Sequence, residues 1–144
     1  MTEDEQRAAV VAEARSWLGT PYHHEARVKG AGVDCLTLIA EVFERAGVLP
    51  RIEIPHYPHD WHIHNSDERY MAGVLRYGHE VERAQPGDIV LYRFGRCYAH
   101  GAIVVSWPGE IIHSYLNEGV MMTRADAGHL GDRPFKFFSF WGAR

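Results

Sequence analysis

The sequence is short of cysteine, of net positive charge and of long apolar runs, and each shortage removes a class of function. Two cysteines in 144 residues do not make a disulfide framework, so one of the thiols is to be read as reactive before it is read as structural. A net charge of -4 gives no basic footprint for nucleic acid. No stretch approaches the ~20 apolar residues that a membrane helix requires. The opening residues, MTEDEQRAAVVAEARSW, carry acids where a secretory signal carries bases, and they hold no apolar segment or cleavage site. The expectation is synthesis in the cytoplasm without a signal peptide, with another vehicle needed to reach any target outside.

What is present reads as an ordinary globular chain, 46% hydrophobic and 24% charged. Its length fits a single domain over 1–144, since domains cluster at roughly 100–150 residues. Histidine is abundant at ten residues, many of them in 56–64 (HYPHDWHIH). Their protonation at mildly acid pH would move the surface charge towards neutral or positive.

The apolar pattern divides the chain. Thr2 followed by Glu5 has the form of a capping box, and Val10, Val11, Ala14, Trp17 and Leu18 then recur at helical spacing until Gly19. Asp34 is a good N-cap for a second helix over 35–46, with Leu38, Ile39, Val42 and Phe43 as its apolar face. Gly47 stands where a C′ glycine belongs, and Pro50 blocks continuation. Three prolines interrupt 50–65, and Ser66 is expected to cap a third helix reaching residue 77. Beyond it, DIVLYRF, AHGAIVVS, EIIHSYL, VMMTR and FKFFSFW are β-branched and aromatic runs separated by turn residues. Helices in the first half and strands in the second predict an α+β fold with an antiparallel sheet.

Cys35 falls at the first turn of the second helix, where unpaired N–H groups and the positive end of the helix dipole favour a thiolate. The same N–H groups can bind an oxyanion. On the local pattern alone, a buried and inert cysteine is an equal reading, because free cysteine is among the most buried residue types.

The wider pattern is more specific. GTPY (Gly19 to Tyr22) followed by VDCLTLIAEVFERAGVLP (Val33 to Pro50) resembles the opening of the NlpC/P60 family, in which a tyrosine precedes a helix-starting DC motif. QPGDIVLYRF (Gln85 to Phe94) resembles its PGD-plus-strand segment. AHGAIVV resembles its catalytic-histidine strand, and EIIHSYL the strand with its third polar residue. The DCL form is similar to the branch found in phage tails, prophages and gene transfer agents. Two departures stand out: Thr37 where that branch usually has Gly, and HGA in place of HVG after the histidine.

The resemblance implies a papain-like α+β fold, N-terminal helices packed on an antiparallel sheet, and a cysteine peptidase without a cofactor or metal. It implies Cys35 as nucleophile, His100 as general base, His113 as its orienter and Tyr22 beside the nucleophile, binding substrate or oxyanion. A hairpin around Ser106-Trp107-Pro108-Gly109 with an even-length loop would put His100 and His113 on one face within reach, whereas an odd-length loop would part them; the even case is expected. Asp34 is expected only to cap its helix, and Cys97 to be structural. The implied substrate is the peptidoglycan stem peptide, cut between D-γ-glutamate and the next diamino acid. The implied partners are hub or tip proteins of a phage-like tail that would carry the enzyme to the wall, with no nucleic acid and no membrane span. Competing readings are a structural tail hub or plug with weak or lost catalysis, a related thiol acyltransferase or amidase, and a zinc module on His56, His59, His62 and His64. The last is disfavoured because structural zinc sites generally include cysteine.

Overall fold

The computed structural model describes residues 1–58, 60–64 and 67–142. The first helix, α1 (Glu3–Arg15), opens on the expected capping box: Thr2 Oγ1 accepts from Glu5 N at 3.1 Å, and Glu5 Oε1 accepts from Thr2 N at 2.9 Å. A two-stranded ribbon, β1 (Arg27–Val28) with β2 (Gly32–Val33), leads into α2 (Cys35–Arg45). Asp34 Oδ1 caps α2 by accepting from Leu36 N at 3.0 Å and Thr37 N at 2.9 Å. Gly47, at φ 77°, takes the left-handed position beyond the helix end.

Two short helices follow, α3 (Trp61–His64) and α4 (Arg69–Leu75). Ser66, expected to cap the third helix, lies outside the described residues. Glu68 occupies the N-cap of α4 and makes no side-chain cap, so this helix rests on packing, with Tyr70 and Val74 buried.

The second half forms a six-stranded antiparallel sheet from β3 (His79–Val81), β4 (Ile89–Phe94), β5 (Cys97–Val104), β6 (Glu110–Tyr115), β7 (Gly119–Arg124) and β8 (Phe135–Ser139). Their order across the sheet is β3-β8-β4-β5-β6-β7. The expected α+β class is therefore found. The strands β1, β2 and β3 were not expected, because two or three residues are too few to show an alternation.

The helices cover one face of the sheet. Val10, Trp17, Leu38, Val42 and Phe43 meet Ile89, Leu91, Ile103, Ile112 and Phe138 there, and burial of each such side chain contributes roughly 1.5–3 kcal/mol. On the opposite face a smaller cluster, including Tyr92, Val104, Ile111 and Phe137, lies beneath Ala125 and Leu130. The PGD segment serves as a joint between layers. Pro86-Gly87 makes a type II turn, with Gly87 at φ 88° and Asp88 N donating to Gln85 O at 3.0 Å. Asp88 then holds the buried Arg7 of α1 at 2.9 Å, while Arg7 also reaches Ser139 of β8 at 3.3 Å.

Candidate active site

Cys35 is the first residue of α2, and that helix packs on β5, β6 and α1. The packing brings its sulfur against the backbone of β5, where the thiol donates to Ala99 O at 3.8 Å. The ladder between β5 and β6 is formed by Ile103 with Ile112 and Val104 with Ile111, near the hairpin end. The sulfur meets β5 at Ala99, four residues before the first of these pairs.

Continuing that register sets His113 opposite Ala102, diagonal to His100. The even loop over 106–109 thus keeps both histidines on one face. His100 Nε2 lies 2.7 Å from His113 Nδ1, and His113 Nε2 lies 3.0 Å from Thr123 Oγ1 of β7. Both rings are buried, at 6% and 3% exposure. Tyr92 of β4 pairs with His100 across the ladder, and Phe94 and Tyr115 add ring contacts.

The sulfur is flanked by groups on both sides of His100 in sequence: Ala99 O accepts from it, and the Gly101 N–H favours its ionised form. Its hydrogen bond goes to this backbone and not to the imidazole.

The electrostatics differ from the sequence expectation of a thiolate. Although Cys35 is partly exposed, desolvation of its sulfur and the Asp34 carboxylate push the thiol up to about 12, against the smaller opposing effect of the Gly101 N–H. Burial lowers His113 to about 4. Burial, His113 and Arg133 hold His100 well below the ordinary histidine range. The resting site is therefore a neutral thiol beside two neutral imidazoles.

Asp34 does more than cap its helix. Its Oδ2 accepts from Glu25 N at 2.7 Å and from the Tyr57 hydroxyl, tying the segments before and after α2 to the turn that carries Cys35. His24 adds to that tie through Tyr57 O at 2.7 Å. Tyr22 bridges Val33, and burial, with Cys35 and Asp34 as neighbours, raises its phenol. Tyr22, Cys35, Tyr57, Tyr70, His100 and Tyr115 all line one cleft of about 940 Å³.

Both departures noted in the sequence have local causes. Thr37 is buried, and its hydroxyl donates to Ala26 O at 2.7 Å while accepting from Asp34 N at 2.9 Å. It therefore anchors the preceding loop rather than crowding the cleft. Gly101 lies under Tyr70, whose hydroxyl donates to Cys35 O at 3.1 Å.

Thr123, Tyr57 and Tyr70 escaped the sequence reading, because neither a lone threonine in VMMTR nor a tyrosine between prolines carries a spacing signal. Cys97 is fully buried in the helix-side core. Of the histidine-rich segment, His56 contacts Glu25 at 2.7 Å. His59 lies outside the described residues, as do the side chains of His62 and His64. Among the described residues no cluster of three metal-ligating side chains is found, and no helix is long and apolar enough to cross a membrane.

Similarity to known proteins follows the same lines. The chain is 28% identical over 128 residues to tail tip assembly protein K of Escherichia phage lambda, covering 78% of this chain and 62% of that protein's length. The fold matches the NlpC/p60 domain of the peptidoglycan hydrolase SagA, with a TM-score of 0.59 and 21% identity over 90% of this chain and 96% of that one. It also matches the peptidoglycan hydrolase RipB of Mycobacterium tuberculosis, with a TM-score of 0.62 and 18% identity over 99% and 70% of the two chains. Residues 19–138, from the glycine before Tyr22 to the last strand, match the NlpC/P60 family, and the chain belongs to that family.

Proposed function

We propose that this chain is a cell-wall cysteine peptidase that cleaves peptidoglycan stem peptides, at the bond between D-γ-glutamate and the following diamino acid, as a component of a phage-like tail. The observation that carries this reading is the meeting of Cys35, at a helix start, with the backbone of the strand bearing the coupled His100–His113 pair, all within one cleft.

In this reading the Cys35 thiol gives its proton to His100 as the sulfur attacks the scissile carbonyl. A neutral resting pair suits such concerted transfer, since no separated charge has to be held in a desolvated site. In the same reading the Cys35 N–H, left uncapped where Asp34 holds Leu36 N and Thr37 N, and the Tyr22 hydroxyl receive the oxyanion. His100 then protonates the leaving amine, and water hydrolyses the thioester with His100 as base. His113 orients His100 through the 2.7 Å contact. The chain acts as one domain over 1–144.

The test is digestion of diaminopimelate-type peptidoglycan by the wild-type protein and by Cys35→Ala, with the fragments read by mass spectrometry. Stem-peptide fragments from the wild type alone support the reading and identify the bond. Absence of cleavage by a folded wild type would overturn the simple hydrolase. A structural tail component would then be preferred, a reading favoured by the sulfur's bond to Ala99 O in place of the imidazole and by the likeness to a tail tip assembly protein.

A further inference from the structure

We propose that Thr123 is a positioning residue that fixes the tautomers of both site histidines and thereby decides which nitrogen of His100 is free to take a proton. The inference rests on the reading of His100 as the base for Cys35. It follows from counting hydrogens along one chain of contacts.

Thr123 stands on β7 opposite Ile111, and His113 stands opposite Met121, so Thr123 and His113 are diagonal neighbours on one face of the sheet. The Thr123 hydroxyl has a single hydrogen, which it donates to Arg124 O at 3.2 Å. It can therefore offer His113 Nε2, at 3.0 Å, only a lone pair. His113 must then carry its proton on Nε2 and present an unprotonated Nδ1. His100 Nε2, 2.7 Å from that Nδ1, must in turn be the donor. The hydrogen of His100 is thus committed to Nε2, and Nδ1 is left with a lone pair.

The opposite arrangement would place a proton on His113 Nδ1, donate it to His100 Nε2, and leave the hydrogen of His100 on Nδ1. That ring could not accept a proton from the thiol. Both rings are buried and neutral, so their tautomers and not their charge decide the matter, and the β-branched Thr123 holds its oxygen in a restricted rotamer.

The experiment compares wild type, Thr123→Val and Thr123→Ser. Imidazole nitrogen tautomers are read by long-range 15N–1H NMR near pH 7, and kcat and KM are measured on a stem peptide. In wild type and Thr123→Ser, both His100 and His113 are expected as the Nε2–H form. Thr123→Val should mix or invert both tautomers, and kcat should fall roughly tenfold with KM little changed. Circular dichroism checks that the valine variant folds, and the serine variant keeps the hydroxyl should it not. A wild-type His113 protonated on Nδ1, or unchanged tautomers in a folded Thr123→Val, would overturn the proposal. The NMR result stands without turnover, so an inactive wild type would count against the peptidase reading and leave the role of Thr123 to be decided by the tautomers.

Discussion

The Tyr70 hydroxyl occupies the space that a side chain at Gly101 would fill. A Cβ at position 101 would overlap that hydroxyl and come within 2.7 Å of Tyr70 Cζ and 2.9 Å of Ile39 Cδ1. Because Tyr70 also donates to Cys35 O at 3.1 Å, the glycine after His100 and the tyrosine on α4 form one unit that sets the start of α2 against β5.

Gly101→Ala is therefore expected to destabilise the protein by roughly 1–3 kcal/mol, the range for overpacking a filled core. Tyr70→Phe removes the overlapping oxygen, so the alanine should cost less in that background. A double-mutant cycle by chemical denaturation measures the coupling, and additive effects would show that the two residues are independent.

Stability should fall on acidification. Burial depresses His113 to about 4 and lowers His100 further below its ordinary range, so the native state holds both neutral while the unfolded chain protonates them below about 6.5. Between pH 6.5 and 4 the unfolded state binds more protons. The stability present above pH 6.5 is therefore lost as pH falls, by about 3 kcal/mol at pH 4 from His113 alone. Urea denaturation of wild type and His113→Asn from pH 7 to 5 tests this. A variant with the wild-type slope would contradict it.

The thiol should be sluggish in the absence of substrate. With Cys35 pushed up to about 12, alkylation by iodoacetamide at pH 8 is expected to be slower than that of an unperturbed cysteine of pKa ~8.5. Asp34→Asn, which keeps an oxygen for the helix cap, removes the opposing charge and should speed the reaction. A rate that levels off near pH 6 in wild type would instead reveal a preformed thiolate–imidazolium pair.

Asp88→Ala should be among the more damaging changes remote from the cleft. It strips the partner from Arg7, which is buried beneath Trp141 and would keep, among the described residues, Pro86 O, Ser139 and the half-exposed Glu3. Removing one member of a buried pair costs about 3–5 kcal/mol. Thermal denaturation measures the loss, and a change within 1 kcal/mol would mean that water reaches the guanidinium.

Much of this molecule is legible along the chain because its signals are local. A capping box, an Asp–Cys helix start and a C′ glycine each act within a few residues, so Thr2, Asp34 and Gly47 fall where their chemistry predicts. The meeting of His100 with His113 was half legible: strand alternation makes it hinge on loop parity, and the register of β5 with β6 supplies the even loop. Thr123, Tyr57 and Tyr70 were not. Each reaches the site from a different element, and a hydroxyl at the end of a long-range contact leaves no periodic trace.

The sequence by itself determined the α+β class and the placement of a cysteine at a helix start. These follow from backbone periodicity and capping, which are short-range. Only the tertiary structure decided the charge state of the site and the tautomers it imposes. Burial, the approach of Asp34 to the sulfur, and the single hydrogen of Thr123 depend on how α2 and β7 close around β5 and β6. Desolvation and hydrogen-bond direction are properties of an assembled environment, and no stretch of sequence contains that environment.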